Sequence, residues 1–307
     1  MVTSLMLDCG WPDERRRHAL YDGSLFAWSP TPSTLRMVAL ARDLLERAFA
    51  PHDPVTAQHA MDVDEFAATL GTVKPEFIHH PECKKLLREI LAEVGADTEQ
   101  VYFDVPRLRS ATADAYLTTG IAYAFHPHRD TWYSASQAQI NWWFPVYDIE
   151  PDNGLAIYSD VFAASLPNTS DTYNYYRWNL ESRAVAATLV REDHRVQPRL
   201  IGDVELGSEL RVVGPVGGML AFSAQQLHAT VPNTTQVTRF SIDFRTVHVV
   251  DLEAGRGAPR SDSDCTGTTL RDFRRCSDLA PLPADLIERY DDSSAVQYAD
   301  GVVYKVP

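Results

Sequence analysis

The chain reads as a mainly β protein with flanking helices, and three observations carry that reading. Within the first hundred residues helices are read at 34–49, where the apolar positions step by three and four, and at 63–70 and 82–94. From Val101 to about residue 250 the texture changes to short runs rich in Val, Ile, Tyr, Phe and Trp, separated by turns containing Gly, Pro, Asn and Asp. No stretch has the composition of a linker, so the 307 residues are expected to form one domain: a helical N-terminal region over 1–100, a β core of about 100–250, and a tail over 251–307.

Taken in order, residues 1–30 are irregular apart from short strands around Tyr21 and over Leu25–Trp28. Thr31-Pro32-Ser33 offers a helix start, and Leu35, Val38, Ala41, Leu45 and Phe49 mark one face of a helix over 34–49. Val63–Leu70 and Glu82–Val94 follow as helices, the latter stopped by Gly95. Strands are expected over Val101–Val105, over Ala115–Phe125 with Gly120 as a bulge, over Gln139–Tyr147, and over Leu155–Tyr158 after the turn Asp152-Asn153-Gly154. Residues 160–205 interrupt this pattern with an aromatic run, Tyr173 to Asn179, and an alanine-rich helical piece to about Arg191. An insertion of that length is either a lid over a site or a packed surface excursion. Strands return over Glu209–Val213, Met219–His228 and Thr238–Val249, and a short helix covers Pro283–Arg289.

Composition excludes several classes. Lys and Arg total 28 against 42 Asp and Glu, a net charge of −14 without a basic block, which argues against a protein that tracks nucleic-acid phosphates. No stretch is long and apolar enough to span a membrane, and Met1–Trp11 lacks the pattern of a secretory leader. Cys9, Cys83, Cys265 and Cys276 are too scattered for a zinc knuckle or a redox dithiol, so reduced thiols and a cytoplasmic setting are expected. A homodimer is left open.

The chemistry concentrates in Phe125-His126-Pro127-His128-Arg129-Asp130. In an extended chain His128 and Asp130 point to the same face, as a metal requires. Two histidines and one carboxylate on one face of Fe(II) leave positions open for a co-substrate and dioxygen. The second histidine must come from elsewhere, and His228, closing the run Met219–Leu227, fits; alone, it would be an ordinary strand-end histidine. Arg239 and Ser241 share a face of the next strand, where a guanidinium and a hydroxyl suit a carboxylate. Asn141 could donate to a co-substrate carboxylate, or could satisfy a neighbouring strand.

Together these pieces resemble the Fe(II)/2-oxoglutarate-dependent oxygenases and, within them, the phytanoyl-CoA dioxygenase-like group. The carrying residues are His128-Arg129-Asp130, Asn153-Gly154 after an aromatic strand, Gly218–Phe222 leading to His228, and Arg239 eleven positions on; they span about 120–245. The resemblance implies a double-stranded β-helix (jelly-roll, cupin-like) core, His128, Asp130 and His228 as iron ligands and catalytic residues, and Arg239 as the anchor of 2-oxoglutarate. Ser241 is similar to the second member of an Arg-x-Ser pair in relatives. The group's Pro-Gly-Ser-His run is missing; Tyr158–Phe162 stands there instead. Phytanoyl-CoA itself is therefore not implied.

The expected activity is oxidation of a small molecule of specialised or amino-acid metabolism by hydroxylation, desaturation or ring formation, with Fe(II), 2-oxoglutarate and dioxygen. A carboxylate at position 130 argues against halogenation, which leaves that position to halide. Two alternatives stand beside it: a cupin-type metalloenzyme without the ketoacid, and a metal-free β-barrel that only binds a ligand. His126 shares the parity of His128 and competes with Asp130 as its partner. Arg129 is expected in a structural ion pair, Arg107 and Arg109 could meet an anionic substrate, and His79 and His80 are expected to be solvated or to cap a helix. Trp132, Tyr133, Trp142 and Trp143 could wall the pocket but are more often core, and only one or two of them are expected to touch substrate.

Overall fold

The computed structural model describes residues 3–122, 125–183, 185–190, 192–292 and 296. Among them, four α-helices lie in the first hundred residues, with a short strand ahead of each of the first two. Asp13–Tyr21 forms α1 and Pro32–Phe49 forms α2, the latter opened by a reciprocal cap between Thr31 and Thr34 with proline in the first turn. Val63–His79 forms α3, capped by Asp62 Oδ1 on the Glu65 amide at 2.9 Å, and Pro81–Glu93 forms α4, stopped at Gly95 with φ +73°. His80 caps α4 through Nδ1, one of the two roles expected of it.

Two sheets follow. The large one runs Leu5–Leu7 (β1), Leu25–Trp28 (β2), Met219–Ser223 (β8), Ile140–Pro145 (β5), Arg239–His248 (β10), Val101–Phe103 (β3) and the two-residue strand Arg274–Arg275, with Arg107–Ala111 (β4) also on β10. The small one pairs Leu210–Val212 (β7), Leu155–Tyr158 (β6) and Leu227–Thr230 (β9).

Strand alternation decides the two faces of the large sheet. Trp142, Phe144, Ala221, Phe240, Ile242 and Phe244 join the apolar faces of α2, α3 and α4 in one core. Burying each large side chain there contributes about 1.5–3 kcal/mol. The opposite parity turns inward to the small sheet: Leu25, Trp143, Leu220 and Phe222 pack against Leu155 and Ile157. Between the sheets a cleft of about 350 Å³ remains, lined along β10 by Arg239, Ser241, Asp243 and Arg245, every second residue.

Five expectations need correction. Tyr21 ends α1 rather than lying in a strand; α1 carries Asp-Glu-Arg-Arg-Arg and shows no apolar stripe, because Arg16 and Arg17 are buried by pairing, Arg17 with Asp251 at 3.0 Å. The strand over Ala115–Phe125 is not there: Asp114, Ala115 and Gly120 hold left-handed φ of 52°, 56° and 69°, which breaks a ladder, and residues 123–124 lie outside those described. The helix to Arg191 is instead a series of short turns, Tyr175–Arg177, Trp178–Ser182 and Ala186–Thr188. Finally, Met219–His228 is two strands. At Ala224–Gln226 the chain turns, with the Ala224 amide on Gln139 O at 3.0 Å, and passes from the large sheet to the small one. α3 also runs nine residues beyond Leu70, through Gly71, where a Cβ would sit 2.9 Å from Ala187 of the insertion.

Candidate metal centre

That change of sheet builds the site. On β9, His228 exchanges backbone hydrogen bonds with His128, both 3.0 Å, so the motif runs antiparallel beside β9 and the two imidazoles face each other at 4.3 Å between ring centres. Asp130 opens a tight turn, Asp130–Tyr133, and its Oδ1 lies 3.5 Å from His128 Nε2 and 3.8 Å from His228 Nε2. One ligand atom from each residue falls within 4.8 Å of the others, and all three residues are buried. Two ligands about 2.1 Å from a metal stand about 3.0 Å apart at a right angle and about 4.2 Å apart when opposed, so the set is of a size for one ion.

Hydrogen bonds around the triad prepare the donors. His128 Nδ1 donates to His126 O at 2.8 Å and His228 Nδ1 to Gln226 O at 2.9 Å, which fixes the proton on Nδ1 and leaves both Nε2 lone pairs bare. Burial pushes the His228 imidazole down to about 4, so it is neutral. Asp130 Oδ2 accepts from Gln139 Nε2 and Arg245 Nε, each at 3.2 Å, which turns Oδ1 toward the histidines. Burial opposes ionisation of this carboxyl, but it is held well below the usual range, with the Arg245 guanidinium as the chief attraction. The donor set thus fits a divalent ion of the iron or zinc type.

Arg239 and Ser241 lie on the same face of β10 as Arg245 and line the same cleft. Arg239 is 5% exposed; its Nη1 reaches Gly154 O at 3.2 Å, while its Nε has no partner and no carboxylate pairs with it among the described residues. Burial lowers its guanidinium to about 10. The Ser241 hydroxyl is also buried without a partner among the described residues. A buried cation beside an unsatisfied hydroxyl is costly unless an anion arrives to meet both. Asn141 lines the cleft too; its Oδ1 accepts from Gln139 at 2.9 Å, and its Nδ2 makes no hydrogen bond among the described residues.

The remaining sequence candidates divide cleanly. His126 turns its Nε2 to Pro198 O at 2.8 Å and stays outside the triad; burial takes it to about 4. Arg129 points away and pairs with Asp262 at 2.6 Å, while Trp132 Nε1 donates to the same carboxylate, so the C-terminal tail clamps the motif from behind. Arg107 and Arg109 line the cleft but are already paired with Asp104 and Asp243. Of the four aromatics, Tyr133 and Trp143 reach the cleft, while the Trp142 ring packs in the helix-side core. Arg245 escaped sequence reading, although its parity with Arg239 and Ser241 along one strand is a signal that could have found it.

No protein-family model matches the chain, and no characterised relative is similar enough to match it. Solved structures of distant sequence do. The epimerase SnoN, in complex with Fe3+, alpha ketoglutarate and nogalamycin RO, aligns with a TM-score of 0.40 at 15% identity over 76% of this chain and 83% of its own. AviO1 from Streptomyces viridochromogenes Tue57 aligns with a TM-score of 0.38 at 12% identity over 80% and 97%. EvdO2 from Micromonospora carbonacea var. aurantiaca, complexed with 2-oxoglutarate, gives 0.37 at 15% over 57% of this chain, which spans 62% of the length of EvdO2. Likeness at that level transfers no activity, and the chemistry rests on the side chains.

Proposed function

We propose that the chain is a mononuclear non-haem Fe(II) enzyme that uses 2-oxoglutarate and dioxygen to oxidise a small molecule. The observation that carries this reading is one cleft holding both a bare-Nε2 His-Asp-His set and, on a neighbouring strand, a buried guanidinium without a carboxylate. His128, Asp130 and His228 would hold the iron. Arg239 and Ser241 would grip the far carboxylate of the diacid, and Asn141 would donate to the carboxylate nearer the metal. When bound, the iron supplies the activation of dioxygen, coupled to decarboxylation of the ketoacid to succinate.

The protein's own contribution is orientation and exclusion of water. Gln139 and Arg245 fix the Asp130 carboxylate, the two backbone carbonyls fix the imidazoles, and the insertion 160–205 would cover the cleft. With a carboxylate in the third position, hydroxylation, desaturation or ring closure is favoured over halogenation. The two facing sheets support a double-stranded β-helix core within a single domain, with phytanoyl-CoA dioxygenase-like proteins as the relatives suggested by the motifs.

The test is anaerobic addition of Fe(II) and 2-oxoglutarate. A weak visible charge-transfer band is expected, absent from His128→Ala, and succinate should form once air is admitted. Uptake of iron with no succinate formed would point to a metalloenzyme that does not use the ketoacid, and succinate formation undiminished in Arg239→Ala would remove Arg239 as the anchor of the diacid. No uptake of iron under any condition would leave a ligand-binding barrel.

A further inference from the structure

The protein carries a net charge of −14, yet its cleft is lined by seven Lys and Arg side chains against three Asp. Four of the cations are compensated: Arg107 by Asp104, Arg109 by Asp243, Arg245 by Asp130 among others, and Arg195 by Asp193. Lys74, Arg183 and Arg239 have no carboxylate within ion-pair distance among the described residues. Lys74 donates to Ile121 O and sits among Arg109, Asp243 and Arg239, at the end assigned above to the diacid. Arg183 sits among other charges altogether: Arg107, Asp104, Asp272 and the Tyr175 phenol.

Arg183 is half-buried at the end of the turn Trp178–Ser182, and among the described residues no side-chain hydrogen bond or ion pair is made to it. The two carboxylates whose charge acts on it are occupied. Asp104 takes Arg107 and the Arg245 amide, and Asp272 takes the Tyr175 hydroxyl. One turn back, Asn179 is 7% exposed, lines the cleft, and buries an Nδ2 with no partner among the described residues. Two unanswered donors therefore face the same space from one short segment. Between them and the metal ligands stands a continuous aromatic wall. His128 touches Tyr133 at 5.5 Å between ring centres, Tyr133 touches Tyr173 at 5.1 Å, and Tyr173 touches Trp178 at 5.8 Å; all four line the cleft.

We propose that Asn179 and Arg183 form a second anion clamp, distinct from Arg239, which binds a carboxylate of the substrate to be oxidised while its apolar or ring-bearing body lies along Tyr133, Tyr173 and Trp178. The substrate class is thus an organic acid long enough to reach from Arg183 to the triad. A cleft that concentrates positive charge in an acidic protein focuses its field on such an anion. The inference rests on the oxygenase reading only in taking the triad as the reacting end.

Binding can be measured without iron or 2-oxoglutarate, so its outcome is separate from that of the succinate assay. The probes are 4-phenylbutyrate and its neutral amide, titrated into the metal-free protein and followed by ligand NMR. The acid should bind roughly tenfold more tightly than the amide. Arg183→Gln should erase that preference and Arg183→Lys should keep some of it. Asn179→Asp, which adds a carboxylate beside the clamp, should also abolish it should the Arg183 variants fold poorly. Arg239→Gln should leave it intact. Equal binding of acid and amide, binding of neither, a preference that survives Arg183→Gln and Asn179→Asp, or one lost in Arg239→Gln would each overturn the proposal.

Discussion

Replacing Arg239 by methionine, which keeps most of the side-chain volume, should make the metal-free protein more stable while ruining its hold on the diacid. Burial moves this guanidinium from 12.5 to about 10, a penalty on the charged form of about 3 kcal/mol relative to the unfolded chain. The sign follows from linkage. The unfolded chain binds this proton more tightly, so the group opposes folding at every pH below about 10, and the penalty fades only as pH rises from there toward the unfolded value. Asp243 is the chief attraction acting on it, but Arg109 already pairs with that carboxylate. At neutral pH methionine should therefore add about 1–3 kcal/mol to stability, as when a poorly compensated buried charge gives way to an apolar side chain. The same substitution removes a charge-assisted, two-pronged bond to a buried carboxylate, about 2–5 kcal/mol. The dissociation constant for 2-oxoglutarate should accordingly rise by about two to three orders of magnitude. Urea unfolding of the metal-free protein reads the first effect; anaerobic calorimetric titration of the Fe(II)-loaded protein reads the second. A variant less stable than the parent by over about 1 kcal/mol, with an unchanged dissociation constant, would show Arg239 to be a structural residue and refute the reasoning.

Other outcomes follow from the same geometry. Fe(II) at a hundredfold excess over its dissociation constant should stabilise the parent by about 2.7 kcal/mol against urea, and His228→Ala and Asp130→Ala should lose that gain; equal stabilisation of the variants would remove the triad as the site. His126→Asn should bind iron with unchanged stoichiometry by metal analysis, since the His126 ring is committed to Pro198 O. Burial raises the carboxyl of Asp243, but Arg109, Arg245 and Arg107 outweigh it, so its folded value is depressed. A depressed carboxyl stabilises the fold above its unfolded value and loses that contribution as pH falls. Arg109→Gln should therefore shift the midpoint of acid unfolding, followed by circular dichroism, to higher pH; an unmoved midpoint would mean that this pair contributes nothing.

Local signals in the chain reached far. The three-four period placed α2 and α4 to within two residues, because a helix that buries one face must write that face into its sequence. Gly71 and Pro75 made α3 look short, and the propensity argument lost to packing against the insertion. α1 was invisible because arginines do the burying there, held by partners more than seventy residues away. Two residues of the cleft that sequence reading passed over, Lys74 and Arg183, share that trait: nothing in their neighbours marks them.

What the sequence determined by itself was which residues have the chemistry to form a metal site, and which of them share a face: His128 and Asp130 flank an extended Arg129, Arg239 and Ser241 stand two apart on β10, and the repeat of two in an extended chain aligns each pair. Only the tertiary structure decided that His228 meets them. A run that reads as one continuous strand turns at Ala224–Gln226 and crosses between sheets, and the backbone pairing with His128 then sets the distance. The same holds for charge. Whether an arginine is paired or waiting depends on which carboxylates arrive within a few ångströms from distant strands, and Coulomb's law acts through that separation, not through position along the chain.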